Sequence, residues 1–321
     1  MEPSILDIPP DFVQEEMKEL IADLDINIPP KRLDRNLIIA TWNIRAFGDL
    51  TREWHSSPTQ SPRRDLASVL SIAEIISRFD VIAIQEVKSE LRALRDTLKK
   101  LGHNWSMILT DVTQGAAGNG ERMAFLFDTR RVKLSGLACE LVVPSEWTTE
   151  IKEDALKTQF ARTPYAVGFR SNDKTFVLVT LHILFGKNEK ERLPELKAIA
   201  HWMADWARRM NDYEQNFIAL GDFNIEERGD LLAQSFLSGG LYIPPDLEQV
   251  TRSIFDETKF YDHIAWFNGA KGIPELSMKF LQGGNYNFVE TALKNKELTK
   301  SQLSWHLSDH YPLWAEFAIN Q

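Results

Sequence analysis

Short apolar runs that recur along the chain constrain its fold more than any other feature. The runs lie at 37–41, 81–84, 123–127, 176–181, 217–220, 263–267 and 313–319. Each has the length of a buried strand, and none reaches the roughly 18 to 20 residues that a membrane span requires. Helical patterns separate several of the runs, at 66–76, 91–101 and 193–210. Strands and helices mixed along one length predict an α/β fold built in layers.

An apolar pattern of a different kind precedes the first run. Its residues recur at helical spacing and are Val13, Met17, Leu20, Ile21 and Leu24. Pro29 and Pro30 end the pattern, because proline cannot continue a helix. We therefore expect residues 1–36 to form an N-terminal helical extension that packs on the outside of a domain spanning 37–321. A helix that docks a protein partner is the alternative.

The composition narrows the class of protein. Cys139 is the single cysteine, which excludes an internal disulfide framework and a thiolate zinc cluster. The N-terminus is acidic and amphipathic and lacks the features of a secretory signal. These features predict a cytoplasmic protein with no membrane span. The net charge of −9 disfavours tight binding to many DNA phosphates, but it allows brief contact with a phosphate substrate through a bound cation.

Polar side chains follow most of the apolar runs. They are Asn43, Gln85, Glu86, His182, Asp222, Asn224, Asp262, Asp309 and His310. Any single one could be a strand-end cap or a turn residue. Strand ends at the same edge of a sheet converge, however, and ligands favour that crevice. Oxygen ligands gathered there suit Mg²⁺, and two histidines suit proton transfer near neutral pH. Iron held by two histidines and one carboxylate is the alternative, but the neighbouring asparagines favour magnesium.

Five stretches of the sequence, taken together and in order, resemble a known family. They lie at 42–48, 80–87, 121–127, 221–224 and 308–312. The resemblance is to the endonuclease/exonuclease/phosphatase superfamily, and within it most to the deoxyribonuclease I group, and it covers about residues 37 to 318. It implies a four-layer α/β sandwich, in which two packed mixed β-sheets are flanked by helices and the site lies at one edge.

The resemblance also implies the roles of the metal-binding and water-activating residues. Glu86 would be the main ligand of a Mg²⁺ ion, assisted by Asn43 and Asp309, and Mn²⁺ could substitute for that ion. Asp222 would orient or deprotonate the attacking water, and Asn224 would hold the scissile phosphate.

Two histidine–acid pairs would complete such a site. Asp262 would orient His310, and Asp111 matches the acidic partner expected for His182, although the family has glutamate there and aspartate is one methylene shorter.

Basic residues would contact the substrate phosphates. Those that match the family in position are Arg45, Arg162 and Lys88. The role of His263, which follows Asp262 directly, stays open.

The function that the resemblance implies is a Mg²⁺-dependent phosphodiesterase that cleaves DNA as an endonuclease, by in-line attack of a positioned water. The enzymatic alternative is a sphingomyelinase-like enzyme, or another phosphodiesterase or phosphatase of the superfamily. Sphingomyelinase-type enzymes also have a histidine at the position of His182. A non-catalytic interaction module is the alternative of another class. The sequence does not decide between DNA and RNA, or between duplex and single strand.

Overall fold

The computed structural model describes residues 2–113, 119–141, 160, 162–183, 185, 189–209 and 216–320. Its strands are β1 Asn36–Phe47, β2 Val81–Lys88, β3 Trp105–Leu109, β4 Glu121–Asp128, β5 Lys133–Glu140, β6 Tyr165–Ser171, β7 Lys174–His182, β8 Phe217–Asp222, β9 Leu241–Tyr242, β10 Asp262–Phe267, β11 Lys279–Asn285 and β12 Leu313–Ala318. Its α-helices are α1 Asp11–Asn27, α2 Leu66–Ser77, α3 Arg92–Leu101, α4 Glu189–Arg209, α5 Leu231–Leu237, α6 Pro245–Glu248 and α7 Lys300–His306. Short 3₁₀ helices lie at Ala270–Gly272 and Lys294–Lys296.

The strands form two mixed sheets of six strands each. The first has the order β11-β12-β1-β2-β4-β3, and the second has the order β5-β6-β7-β8-β10-β9. Within each sheet one central pair is parallel, β1 with β2 and β7 with β8, and the other neighbours are antiparallel. The carboxyl ends of these two parallel pairs therefore lie at one edge of the molecule.

Strand β1 shows why the sequence has continuous apolar runs instead of an apolar–polar alternation. Leu37 and Ile39 belong to the core shared by the two sheets, whereas Ile38 and Trp42 belong to the core between the first sheet and helices α1, α2, α3 and α7. A strand that buries both faces is apolar at every position. Helices α4 and α5 pack on the second sheet. The predicted four-layer α/β sandwich is confirmed.

Two buried hydrogen bonds join the sheets at the edge where the parallel strands end. The Gln85 side-chain amide, on β2, donates to Thr180 Oγ1 on β7 over 2.9 Å. The Asn43 amide, on β1, donates to Asp222 Oδ2 on β8, also over 2.9 Å. A buried polar group without a partner is costly, so these bonds favour one relative placement of the sheets.

Helix α1 occupies part of the predicted extension and is built into the first-sheet core. Val13, Leu20 and Leu24 are buried there, against the outer face of α2. The Tyr286 hydroxyl also donates to Asp23 Oδ2 over 2.8 Å, which ties the helix to a segment distant in sequence. The helix therefore contributes to the core as well as covering it.

We expect Leu24→Ala to lower the free energy of unfolding by about 2–5 kcal/mol, because Leu24 is fully buried and alanine leaves a cavity. Ile26→Ala, two residues away at a side chain that is 82% exposed, should change it by less than about 0.5 kcal/mol. Urea unfolding followed by circular dichroism measures both values. Equal, small losses for the two variants would show that α1 is only loosely attached.

Candidate active site

Asp222, at the end of β8, is the centre of a polar cluster at this edge. Its Oδ2 atom lies 3.7 Å from His182 Nε2 and 4.0 Å from His310 Nε2, and its Oδ1 atom accepts the Asn224 N–H over 3.0 Å. Among the described residues, ligand atoms of Asp222, Asp262 and His310 lie within 4.8 Å of one another, a spacing that could hold a metal ion. One carboxylate thus faces both histidines.

His310 is held by Asp262, the first residue of β10. Asp262 Oδ2 accepts a hydrogen bond from His310 Nδ1 over 2.7 Å. Burial raises the pKa of Asp262 to about 6, and the charge of His310 opposes that rise. Burial also disfavours the charged imidazole, but the carboxylates of Asp262 and Asp222 raise the pKa of His310 well above its ordinary value. At neutral pH the pair is therefore an ion pair with the Nε2 atom directed towards Asp222.

The acidic partner of His182 is Glu121, which corrects the expectation that it is Asp111. His182 Nδ1 lies 3.3 Å from Glu121 Oε2, whereas Asp111 is exposed and its N–H donates to Glu140. The reason is strand order. Glu121 opens β4, which pairs directly with β2, whereas Asp111 follows β3 at the outer edge of the sheet.

Glu121 also binds two of the predicted phosphate-contacting cations. Lys88 Nζ donates to its Oε1 atom over 2.9 Å, and Arg162 Nε donates to its Oε2 atom over 2.6 Å. Burial alone would raise the pKa of Glu121, but its contacts with His182, Arg162 and Lys88 bring the pKa well below the usual range. The carboxylate is therefore ionised at neutral pH and can orient the His182 ring.

Asn43 on β1 and Glu86 on the neighbouring strand β2 supply further oxygen donors at this edge, here called the metal pole. Asn43 Oδ1 is buried and accepts no hydrogen bond from the described residues. Glu86 Oε2 accepts the Ala46 N–H over 2.8 Å, and Glu86 has a left-handed backbone with φ +59° at a register shift between β2 and β4. An unused amide oxygen and a carboxylate oxygen are donors of the kind that a hard divalent cation takes.

Asp309, the third predicted ligand, lies on the segment that precedes β12. Its carboxylate is half-buried, 3.9 Å from Arg45 Nη1. Its backbone carbonyl accepts the Ile254 N–H over 2.9 Å. The position is therefore fixed by the main chain, while the carboxylate stays accessible.

Asn224 and Arg45, the other predicted phosphate contacts, are both held by neighbouring groups. Asn224 has φ +50°, and its amide donates to the Ile183 carbonyl over 2.7 Å. Arg45 Nη1 donates to Ser304 Oγ over 2.7 Å, and its guanidinium stacks 3.8 Å from the centre of the Trp305 ring.

Arg64 is a buried residue of this region that the sequence did not reveal. Its guanidinium donates to the carbonyls of Arg45, Ala46, His306 and Leu307 over 2.7–3.1 Å, which ties the end of β1 to the segment before Ser308. Burial lowers the pKa of Arg64 to about 10, although the charge of Glu86 opposes the change. The residue is thus a permanent cation beside the metal pole. A basic pair in a polar loop gives no sequence signal for this role.

Ser308 fixes the same backbone segment from the other side. Its hydroxyl donates to the Asn43 carbonyl over 2.5 Å and accepts the N–H groups of Arg45 and His310 over 3.2 and 3.1 Å. Its place in the 308–312 stretch was visible in the sequence, but this bridging role was not.

His263 lies behind the cluster and not in it. The ring packs with centroids 5.7 Å from Phe223 and 6.3 Å from Phe236. Burial, and then the charge of Arg252, lower its pKa well below the ordinary value. A neutral, aromatic-packed imidazole is a structural residue.

A buried polar network anchors the loop that leads into α2. Asp65 caps α2 by accepting the Ser68 N–H over 2.9 Å, and it forms an ion pair with Lys296. His306 Nδ1 lies 2.9 Å from Ser68 Oγ. Burial lowers the pKa of His306 to about 4, although the charge of Asp65 opposes that change.

The chain is similar in sequence to two curated nucleases. The model of the endonuclease/exonuclease/phosphatase family matches residues 40–272. A deoxyribonuclease from Thioalkalivibrio sp. (strain K90mix) is 31% identical over 215 residues, 65% of this chain and 52% of that protein, so the chain spans about half of that relative's length. Deoxyribonuclease-1 from Canis lupus familiaris is 26% identical over 287 residues, 86% of this chain and 90% of that one.

The fold is shared with solved structures of low sequence identity. An endonuclease/exonuclease/phosphatase family protein from Bacteroides thetaiotaomicron superposes with a TM-score of 0.59 at 17% identity. The superposition covers 89% of this chain and 98% of that one.

No helix in the described part of the chain is both long and apolar enough to cross a membrane.

We expect Glu121→Gln to lower the rate of diester hydrolysis by roughly 10–100-fold, because His182 would lose the charge that orients it. Asp111→Asn should leave the rate within about twofold of wild type, since Asp111 is exposed and makes no contact with His182. Steady-state kinetics on a chromogenic phosphodiester compare the two variants directly. The reverse order of effects would restore Asp111 as the partner.

The buried, neutral His306 should make the fold sensitive to acid. Because its pKa is lower in the folded chain, the unfolded chain binds the proton more readily, and stability is lost as the pH falls from about 6.5 to about 4. We expect the difference between wild type and His306→Gln to change by roughly 2–3 kcal/mol over that range. Urea titrations at several pH values measure it, with exposed His103→Gln as the control. Parallel pH profiles for wild type and His306→Gln would contradict the assignment.

Proposed function

Because the chain belongs to the endonuclease/exonuclease/phosphatase family, we propose that it is a metal-dependent phosphodiesterase that cleaves DNA as an endonuclease. The observation that carries the proposal is the convergence of two histidine–carboxylate pairs on one aspartate: both His182 and His310 present Nε2 to Asp222 within about 4 Å. The two deoxyribonuclease relatives favour DNA as the substrate.

The metal pole fits a divalent cation. Asn43 Oδ1 and the carboxylates of Glu86 and Asp309 would hold Mg²⁺, or Mn²⁺ in its place, and the oxygen-only donor set matches that choice. When bound, the ion would neutralise charge on the phosphate and favour attack at phosphorus. The specific ion and its ligands are part of the proposal.

The chain's own residues then divide the proton transfers. Asp222, aligned by the Asn43 amide and the Asn224 N–H, takes a proton from the attacking water. His182, oriented by Glu121, protonates the oxygen that leaves when its bond to phosphorus breaks. His310, held charged by Asp262, stabilises the negative charge that develops on the phosphate oxygens.

The remaining polar groups position the substrate. Arg45, Arg162 and Lys88 line the same edge and place positive charge next to the diester, and Asn224 contacts the scissile phosphate. These contacts would hold the phosphate in one orientation, which favours attack by water in line with the leaving oxygen.

Two sequence-based predictions concern the location and partners of the chain. The cytoplasmic location stays a prediction, as does a protein partner for residues 1–36. A lipid phosphodiester such as sphingomyelin suits the same catalytic groups, and the deoxyribonuclease relatives favour nucleic acid over it.

We expect Glu86→Gln to reduce plasmid nicking by at least ~100-fold at every Mg²⁺ concentration, because the charged ligand is replaced by a neutral one of equal size. Folding should be unchanged or slightly improved, since a carboxylate leaves a cluster of carboxylates. The matched control is Glu90→Gln, an exposed glutamate just beyond β2. Plasmid nicking and thermal unfolding are measured on all three proteins.

The same assays on wild type separate the alternatives. Hydrolysis of sphingomyelin vesicles without cleavage of DNA or RNA would overturn the nuclease assignment. If wild type hydrolyses phosphomonoesters but no diester with Mg²⁺ or Mn²⁺, the phosphatase alternative holds, and if it hydrolyses neither, the interaction module is favoured. Wild-type rates in Glu86→Gln would remove the metal pole from the mechanism.

A further inference from the structure

A cleft of about 480 Å³ opens beside the metal pole. Its walls come from the end of β1, the loop before α2 and the end of α7, and the lining residues that matter here are Arg45, Asp49, Arg63, Arg64 and Trp305. Clefts of about 300–1,000 Å³ hold ligands of drug-like size, a class that includes a nucleoside monophosphate.

The cleft is continuous with the proposed catalytic centre through Arg45. The Arg45 guanidinium lies in its wall, while Nη1 approaches Asp309 to 3.9 Å and the backbone N–H donates to Ser308 Oγ. A strand whose scissile phosphate occupied the centre would therefore place a neighbouring nucleotide at the mouth of the cleft.

One wall offers a stacking surface. Trp305 is 43% exposed although it is large and apolar, and the Arg45 guanidinium lies 3.8 Å from its ring centre. Nucleobases stack on aromatic rings and on arginine planes in proteins that bind single strands.

The loop before α2 contributes a cation to the cleft. Asp49 is neutralised by Arg92, whose Nη1 atom donates to it over 2.8 Å. Arg63 is half-buried, and within the described part of the chain its guanidinium has no hydrogen bond or ion pair. The cleft therefore has a free positive charge for a phosphate, despite the acidic charge of the whole chain.

The cleft is also held in one shape by buried groups. Arg64 binds the carbonyls on either side of it, and Asp65 with Lys296 and Ser68 fixes the end of the loop. A ligand would enter a formed cleft and would not have to order the loop.

We infer that this cleft binds one unpaired nucleotide of the substrate strand, with its base against Trp305 and Arg45 and its phosphate on Arg63, so that single-stranded DNA is preferred over continuous duplex. The inference rests on the proposed function and specifies its substrate. A base in a duplex is already stacked and paired, and it must be extruded before it can enter a concave site. An unpaired base enters without that cost.

Binding to the Glu86→Gln chain tests the inference without cleavage of the probe. A short fluorescent DNA strand, alone or annealed to its complement, is titrated at several NaCl concentrations and followed by anisotropy. The Glu86→Gln chain should bind the single strand at least ~10-fold more tightly than the duplex.

Two further substitutions in that background should have different signatures. Trp305→Leu should weaken single-strand binding about tenfold with no change in salt dependence, and Trp305→Phe should restore most of it, because a ring returns. Arg63→Gln should lower the slope of log K against log salt by about 0.7, the value for one phosphate contact on a single strand.

Matched controls lie at the far end of the second sheet. Arg170 on β6 pairs with Thr175 near the start of β7, and Leu134 on β5 pairs with Phe169 on β6; both residues are exposed. Neither Arg170→Gln nor Leu134→Ala should change the affinity or the salt slope. With Glu86 intact, Arg170→Gln and Leu134→Ala should also hydrolyse bis(p-nitrophenyl) phosphate within about twofold of wild type, because both residues lie away from the polar cluster.

The outcomes distinguish this inference from the proposed function. Equal affinity for single strand and duplex, or unchanged binding in Trp305→Leu and Arg63→Gln while wild type still cleaves DNA, would overturn the inference alone. Equal losses on both DNA forms would overturn it too, since they would indicate an ordinary backbone contact. Failure of wild type to hydrolyse any diester would overturn the proposed function itself.

Discussion

The hydrogen bond between the Asn43 amide and the Asp222 carboxylate is the contact on which the rest of the site depends. It crosses from one sheet to the other, so it exists only when both sheets are packed in register. The same bond uses the nitrogen of Asn43 and leaves Oδ1 without a partner among the described residues. It also fixes the Asp222 oxygen that faces His182 and His310. The polar cluster is therefore aligned only when the two sheets pack against each other.

Charge balance explains how so many acidic groups can be gathered at one edge. Two buried carboxylates of this edge have a cation or a histidine in contact: Glu121 has Lys88 and Arg162, and Asp262 has His310. Arg64 adds a buried cation beside Glu86 that forms its hydrogen bonds with carbonyls and not with carboxylates. A buried charge without compensation is strongly unfavourable. This distribution of cations therefore lets the carboxylates of the metal pole stay ionised without a large cost to the stability of the fold.

Much of the architecture could be predicted from the sequence, because apolar runs and helical spacing are local signals. Residues such as Asp222 and Asp262 could be placed at one edge for the same reason, since each directly adjoins a strand. The acidic partner of His182 could not be predicted, because Asp111 and Glu121 both flank the connection between β3 and β4. Only the order of strands in the sheet decides which of the two contacts His182. Arg64 gave no signal because its partners are main-chain carbonyls, which every residue carries.

The left-handed backbone at Glu86 shows how this chain divides stability and chemistry. Regular alternation along β2 would place Gln85 and Glu86 on opposite faces of the sheet. At the register shift, the Gln85 side chain binds Thr180 of the other sheet, while the Glu86 carboxylate accepts the Ala46 N–H on the neighbouring strand. Ala46 and Asn224 share the positive φ, and each such residue costs about 1–3 kcal/mol. Substitutions that relieve the strain at Ala46, Glu86 and Asn224 would stabilise the fold, but they would also remove the irregular backbone that orients the site residues. The sandwich tolerates local strain there because its two cores supply the stability elsewhere.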